Sequence, residues 1–203
     1  SDVCSSDLGR SPVMHITAVT HRKNPIFQGS LEGHPINESH VIAAISKTAI
    51  AWESLENAGI TGIRDVATLP ESGSAHIVVS CKMSVAGQPD WICSVLWGQS
   101  NATWHWKHVI VVDEDIDPAD MDKVLWAMCT RFDPREGLEV LKGCWSTVLD
   151  PMVYGENDRR NARLVIDACK PWSRRDTFPA VVRNSKALDE RIKAKFSDIL
   201  PCG

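Results

Sequence analysis

Val109-Ile110-Val111-Val112-Asp113-Glu114-Asp115-Ile116-Asp117-Pro118 is the stretch on which the fold turns. Its first four residues are β-branched and consecutive, with charge on either side. Such a run leaves no polar face and fits a strand buried on both sides inside a parallel sheet. The segment ends in Asp117-Pro118, which predicts a helix start. Asp117 would supply the cap oxygen, and Pro118 would sit in the first turn, where its missing N–H costs nothing. Val124, Leu125, Met128 and Cys129 would form the buried stripe of that helix.

The same alternation extends outward from this strand. Upstream, Asn37 can cap a helix running to about position 57, with Val41, Ile45, Thr48, Trp52 and Leu55 on one face and Gly59 ending it. Residues 63–69 and 75–81 read as strands separated by Pro70, Ser72 and Gly73, followed by a short helix over 90–97. Downstream, 138–141 reads as one further short strand, and the chain is expected to be irregular to about Arg163. An amphipathic helix over 186–196 is suited to docking on a neighbour. Strands alternating with helices predict an α/β fold, specifically a three-layer α/β/α domain.

Residues 13–20 are also rich in β-branched residues and predict a strand, but one strand makes no domain. It is expected to be the last strand of a sheet whose other members lie elsewhere. The polar, aperiodic opening Ser1-Asp2-Val3-Cys4-Ser5-Ser6-Asp7-Leu8 joins it abruptly and reads as foreign to the fold. The expected organisation is a leader over 1–11, a strand and linker over 12–35, an α/β domain over 36–165, and a tail with an oligomerisation helix over 166–203.

Composition excludes several function classes. Lysine and arginine total 22 against 26 acidic residues, a net charge of -4, so no basic surplus exists for neutralising phosphates and nucleic acid is not an expected partner. Seven cysteines occur singly, without CxxC spacing, which suits a reducing, cytoplasmic setting. No apolar run approaches the roughly 20 residues needed to span a bilayer. No G-x-G-x-x-G, P-loop, G-x-S-x-G or HExxH is present.

Two strings could carry chemistry. Asp113, Asp115 and Asp117 follow a buried strand, at the kind of strand end where open α/β sheets bind ligands, and a metal-dependent hydrolase would need them to converge on one ion. Helix capping and a dipole contribution of roughly 0.3 to 1 kcal/mol each explain them without a metal. Trp104-His105-Trp106-Lys107-His108 joins two indoles, two imidazoles and an ammonium just before the buried strand. It suits either stacking and cation–π recognition of a flat anion, or a tryptophan pair packed between sheet and helix. His40, in the first turn of its helix and off the apolar stripe, reads by itself as a surface residue.

Taken in order, Ile16-Thr17-Ala18-Val19-Thr20-His21-Arg22-Lys23-Asn24-Pro25-Ile26-Phe27, then 109–118, then Val124-Leu125-Trp126-Ala127-Met128-Cys129-Thr130-Arg131 with Pro134, resemble the C-terminal half of UbiD-type decarboxylases. Leu149-Asp150-Pro151 and Ile166-Asp167-Ala168-Cys169-Lys170-Pro171 extend the similarity, which covers Pro12 to about Trp172. The resemblance implies reversible, non-oxidative decarboxylation of an aromatic or α,β-unsaturated carboxylic acid with prenylated FMN, a cofactor supplied by a flavin prenyltransferase. It also implies a divalent metal such as manganese, and potassium, beside the cofactor phosphate.

The family's catalytic Glu-Arg-Glu set and metal ligands lie before the strand that begins here at Val13, in a split-barrel cofactor-binding domain. No catalytic or metal residue is therefore expected in this chain, which would be inactive alone. Family positions lining the substrate pocket map to His40, Trp104, His105, Thr147 and Leu149, and Asn101 occupies a cofactor-side position that is often basic. His40 stands where decarboxylases of cinnamate-like acids carry an aliphatic residue, and an imidazole can hydrogen-bond a phenol, so a hydroxybenzoate-like substrate is expected. The resemblance also implies a homo-oligomer, dimer or hexamer. A reading of a different class is a non-catalytic oligomerisation or binding module of α/β class.

Overall fold

A computed structural model describes residues 13–31, 33–99, 106–147, 149–153, 158–197 and 199. The chain divides into two units, Ser1–Trp172 and Ser173–Gly203. The elements of the first are α1 (Glu38–Asn57), β1 (Ile63–Thr68), β2 (His76–Cys81), α2 (Gln88–Gly98), β3 (His108–Asp113), α3 (Met121–Thr130), β4 (Leu138–Trp145) and β5 (Arg160–Ala168). They form one five-stranded sheet in the order β1-β2-β3-β5-β4.

The expected buried strand is β3, at the centre of the sheet and parallel to both β2 and β5. Antiparallel strands β1 and β4 flank those two. Side chains alternate across the pleat. Val109 and Val111 join Ile77, Val79 and Val165 beneath Ala51 and Leu55 of α1 and Ile92, Cys93 and Leu96 of α2. Ile110 and Val112 join Val78, Ile166 and Ala168 beneath Val124 and Ala127 of α3. Helices cover both faces, as the three-layer expectation requires. Each fully buried aliphatic side chain contributes about 1.5 to 3 kcal/mol to holding the layers together.

Four details depart from the sequence reading. First, α3 begins at Met121 rather than after Asp117. Asp117 accepts from the Ala119 N–H in a local turn (2.9 Å), and Asp120 caps the helix by accepting from the Lys123 N–H (3.1 Å). Its buried face also differs, with Leu125 and Cys129 exposed and Ala127 buried beside Val124. Second, β4 runs for eight residues, with a register shift at Gly143, whose φ of 74° lies where glycine is favoured. Third, the stretch expected to be irregular contains β5, which continues three residues past position 165. Its charged and polar members, Arg160, Asn161 and Arg163, disguise the strand pattern. Fourth, residues 13–20 join no strand ladder among the described residues, and Val13, Met14, Ile16 and Val19 are exposed.

In the second unit, Ser185 caps α4 (Lys186–Lys195) by accepting from the Leu188 N–H, and none of the helix's residues is buried.

The carboxyl end of β3 is closed by ions. Arg131 Nη1 donates to Asp113 Oδ2 (2.8 Å) and Asp115 Oδ1 (2.7 Å), Nη2 donates to Asp115 Oδ2 (2.8 Å), and the Lys170 N–H donates to Asp113 Oδ2 (2.9 Å). The Arg131 side chain is fully buried and that of Asp113 is 3% exposed. Asp115 is held below the ordinary carboxylate range, chiefly by its hydrogen bond from Arg131. Two of the three aspartates weighed as metal ligands therefore hold a guanidinium. Replacement Arg131→Ala leaves Asp113 buried without its counter-ion and is expected to cost about 3 to 5 kcal/mol, read as a lower urea midpoint.

At the amino ends, His76 and His108 meet edge-on across β2 and β3 with ring centroids 4.4 Å apart. Burial lowers both below their ordinary value of 6.5, His108 to about 4, and each proton on the other ring would repel it. Both imidazoles are thus kept neutral in the fold, and proton uptake favours the unfolded chain. Stability is intact above pH 6.5 and falls as pH drops toward about 4. Melting temperatures at pH 7 and pH 4.5 should show a smaller acid loss for His108→Phe than for the unsubstituted protein.

Candidate functional site

A polar concavity lies at the amino ends of β2, β3 and β5, on the side covered by α1. Its volume is about 610 Å³. Three pieces of chain wall it: the first half of α1, the turn between β1 and β2, and the loop that follows β4. Asn37 starts α1 by accepting from the His40 N–H (3.1 Å), which sets the helical phase. That phase turns His40, Ala43 and Lys47 into the cavity at three- and four-residue steps. Val41 and Ile45, expected on the buried face, are instead 42% and 68% exposed. Farther along, Ala51 and Leu55 pack on the sheet and Thr48 Oγ1 accepts from the Thr68 N–H (2.9 Å). One helix therefore builds core with its second half and cavity wall with its first.

The loop after β4 contributes Thr147, Leu149 and Asp150. Asp150 accepts from Lys107 Nζ (3.0 Å) and from Asn161 Nδ2 (2.8 Å), which also donates to Ser146 Oγ (2.9 Å). Burial works to raise the Asp150 pKa, but hydrogen bonds from Asn161, the Met152 N–H and Lys107 outweigh it and hold the carboxyl below its ordinary range. Arg163 forms the floor at 2% exposure, donating through Nη1 to the Trp106 carbonyl (2.6 Å) and through Nη2 to the Trp145 carbonyl (2.8 Å). Burial lowers its pKa. Burial also pushes Lys47 down to about 8.

Several buried polar atoms in this wall have no partner among the described residues: His40 Nδ1, Ser74 Oγ, Asn161 Oδ1 and Arg163 Nε. Ser74 is fully buried and has a φ of 64°, a left-handed conformation rarely taken by residues other than glycine. Buried polar groups are ordinarily paired, so several unpaired ones around one cavity mark a place built for a polar ligand.

His40, Thr147 and Leu149, the sequence-nominated pocket residues that the structure describes, border this single cavity. Asn101, Trp104 and His105 lie outside the described residues. Of their neighbours, Trp106 is completely buried and packs in the core, and its carbonyl also accepts from Trp97 Nε1 (3.1 Å). Lys107 reaches the cavity. Sequence reasoning passed over Lys47, Ser74, Asn161 and Arg163. Lys47 was within reach, two helical turns from His40 on the same face. Arg163 gave no signal, because its strand was not recognised.

Residues 40–168 match the profile of the 3-octaprenyl-4-hydroxybenzoate carboxy-lyase C-terminal domain. The chain is 31% identical over 196 residues to an uncharacterized protein of Archaeoglobus fulgidus, spanning 93% of this chain and 39% of that protein. To the gallate decarboxylase of Lactiplantibacillus plantarum it is 32% identical over 178 residues, 82% of this chain and 35% of that one. To the phenolic acid decarboxylase of Sedimentibacter hydroxybenzoicus it is 26% identical over 164 residues, 77% of this chain and 32% of that one.

Among solved structures, the vanillic acid decarboxylase of Sedimentibacter hydroxybenzoicus in closed form shares the fold with a TM-score of 0.74 at 23% identity, over 89% of this chain and 37% of that chain. A UbiD-class enzyme of Pelotomaculum thermopropionicum in complex with FMN does so with a TM-score of 0.66 at 22% identity, over 78% of this chain and 34% of that one. The chain thus spans 32% to 39% of the length of these curated relatives.

The lowered pKa of Lys47 sets it apart chemically. An ordinary lysine amine is less than about 1% deprotonated at pH 8, whereas an amine with pKa near 8 is about half deprotonated. Brief treatment with acetic anhydride at pH 8, followed by peptide mass spectrometry, should find Lys47 acetylated ahead of Lys82 and Lys142.

Proposed function

The chain belongs to the UbiD carboxy-lyase family, whose C-terminal domain it carries, and on that premise we propose that the complete protein is a non-oxidative decarboxylase of aromatic, hydroxybenzoate-like, or α,β-unsaturated carboxylic acids. The observation that carries the reading is the single cavity in which His40, Thr147 and Leu149 meet unpaired buried polar atoms and side-chain cations. A flat acid fits such a wall: cations for its negative charge, Leu149 and Ala43 for its ring, and hydroxyl and imidazole groups for ring substituents. The names of the relatives, gallate decarboxylase and phenolic acid decarboxylase, point to the same substrate class.

Prenylated FMN would supply the electron sink for loss of CO2. Manganese and potassium are assigned, with most of the cofactor, to the part of the complete protein that carries the cofactor-binding domain, as the family resemblance implies. Asn101 is assigned to the cofactor side, and Trp104 and His105 to the pocket edge. The chain's own part is then positioning. His40 orients a phenolic hydroxyl, Thr147 and Leu149 bound the ring, and Arg163 fixes the ends of β4 and of the segment before β3 by holding their carbonyls.

Residues 13–20 are assigned to a sheet completed by the cofactor-binding domain, which supports reading 12–35 as strand and linker. The exposed Val41, Ile42 and Ile45 on α1 and helix α4, in which no residue is buried, support a homo-oligomer, dimer or hexamer. No helix among the described residues is long and apolar enough to cross a membrane. A cytoplasmic location completes the reading.

Supplied with prenylated FMN, the complete protein should release CO2 from 4-hydroxybenzoate or 3,4-dihydroxybenzoate. Failure to turn over any aryl or acrylic acid would overturn the assignment. His40→Ile should reduce kcat/KM on phenolic acids about tenfold, the scale of one lost hydrogen bond, and leave cinnamate-like acids nearly unaffected. Equal losses on both would remove His40 from substrate selection.

A further inference from the structure

We propose that Lys47 and Arg163 form an anion subsite in this cavity, so that the preferred substrate is an aromatic acid bearing a second anionic oxygen group. The inference rests on the decarboxylase reading and narrows its substrate class. It begins with the cavity's charges. Three side-chain cations, Lys47, Lys107 and Arg163, face one carboxylate, Asp150, which leaves an excess of two positive charges. Asp150 is already engaged by Lys107 and Asn161. Among the described residues no carboxylate lies within ion-pair distance of Lys47 or Arg163, and the partners of Arg163 are backbone carbonyls.

Lys47 is half-buried and Arg163 buried, and with no counter-ion among the described residues an anionic ligand is what offsets the cost of burying their charge. The contrast with the other end of β3 is direct, because there buried Arg131 is matched by Asp113 and Asp115. A second observation points the same way. Ser74 Oγ, fully buried on the wall facing α1, has no partner and can donate a hydrogen bond to an anionic oxygen. His40 lines the wall two helical turns before Lys47, so an aromatic ring between them could present one substituent to the imidazole and another to the ammonium. One ionised group on the substrate leaves as CO2. The excess charge calls for another that stays.

The test is isothermal titration of the complete protein at pH 7 with isophthalate, benzoate, 4-hydroxybenzoate and inorganic phosphate. Isophthalate should bind about tenfold more tightly than benzoate, and Lys47→Gln should bring the two within about twofold. Lys47→Arg, which keeps the charge, should preserve most of the preference. Circular dichroism of both variants confirms that α1 is intact. A preference that survives Lys47→Gln, or its absence from the unsubstituted protein, would overturn the subsite. Phosphate binding as tightly as isophthalate would also overturn it, as an adventitious ion only. If benzoate and 4-hydroxybenzoate bind but charge is not discriminated, the subsite fails and the decarboxylase reading stands; if no aromatic acid binds, both fall.

Discussion

β3 offers no polar face, and that constraint organises everything around it. Four consecutive β-branched residues can be accommodated only if strands pair on both edges and helices cover both sides. Strands β2 and β5 meet the first demand, and α1, α2 and α3 meet the second. Because the middle of the strand is wholly apolar, every polar and charged group nearby is displaced to one of its two ends. The chemistry of this unit is therefore a comparison of those ends.

They are finished in opposite ways. At the carboxyl end, where open α/β sheets ordinarily bind ligands, Arg131, Asp113 and Asp115 satisfy one another inside the protein and fill the space. At the amino end, Arg163 is as deeply buried, but among the described residues it bonds only carbonyls, Lys47 has no acid within ion-pair distance, and several polar atoms lack partners. Burial alone does not distinguish structure from site. The distinction is whether a buried charge has its counter-charge within the chain: Arg131 has two, and Arg163 has none among the described residues. The end that the usual location rule favours is already filled by side chains, which leaves the amino end as the candidate site.

The same logic explains what could be read in advance. Apolar periodicity gave up the parallel sheet, the flanking helices and the Asn37 cap, since those elements answer to burial alone. What escaped was wherever a charged residue performs a structural task. Arg163, pointing inward from β5, broke the alternation that would have revealed the strand. Asp120, three residues after Asp117, caps α3, and the helix buries Val124 and Ala127. In the site, His40, Thr147 and Leu149 could be named only through family resemblance. Lys47 needed the knowledge that the first half of α1 faces a cavity, and Ser74 needed a backbone angle that no local pattern announces.

Helix α1 shows why a single periodic stripe misleads in such a case. A helix that packs on a sheet along its whole length keeps one apolar face throughout. In α1 the inward face changes character midway, from His40, Ala43 and Lys47 to Ala51 and Leu55, while Val41, Ile42 and Ile45 turn outward. In its first half Ala44 is buried while Val41, Ile42 and Ile45 are exposed, so that half is anchored here by Ala44, the Asn37 cap and its continuity with the packed half. An exposed apolar ridge backing a charged cavity has the cross-section of a partition. A protein surface docked on that ridge would stabilise the wall and the position of Lys47 together, and so would be coupled to the shape of the cavity through one helix.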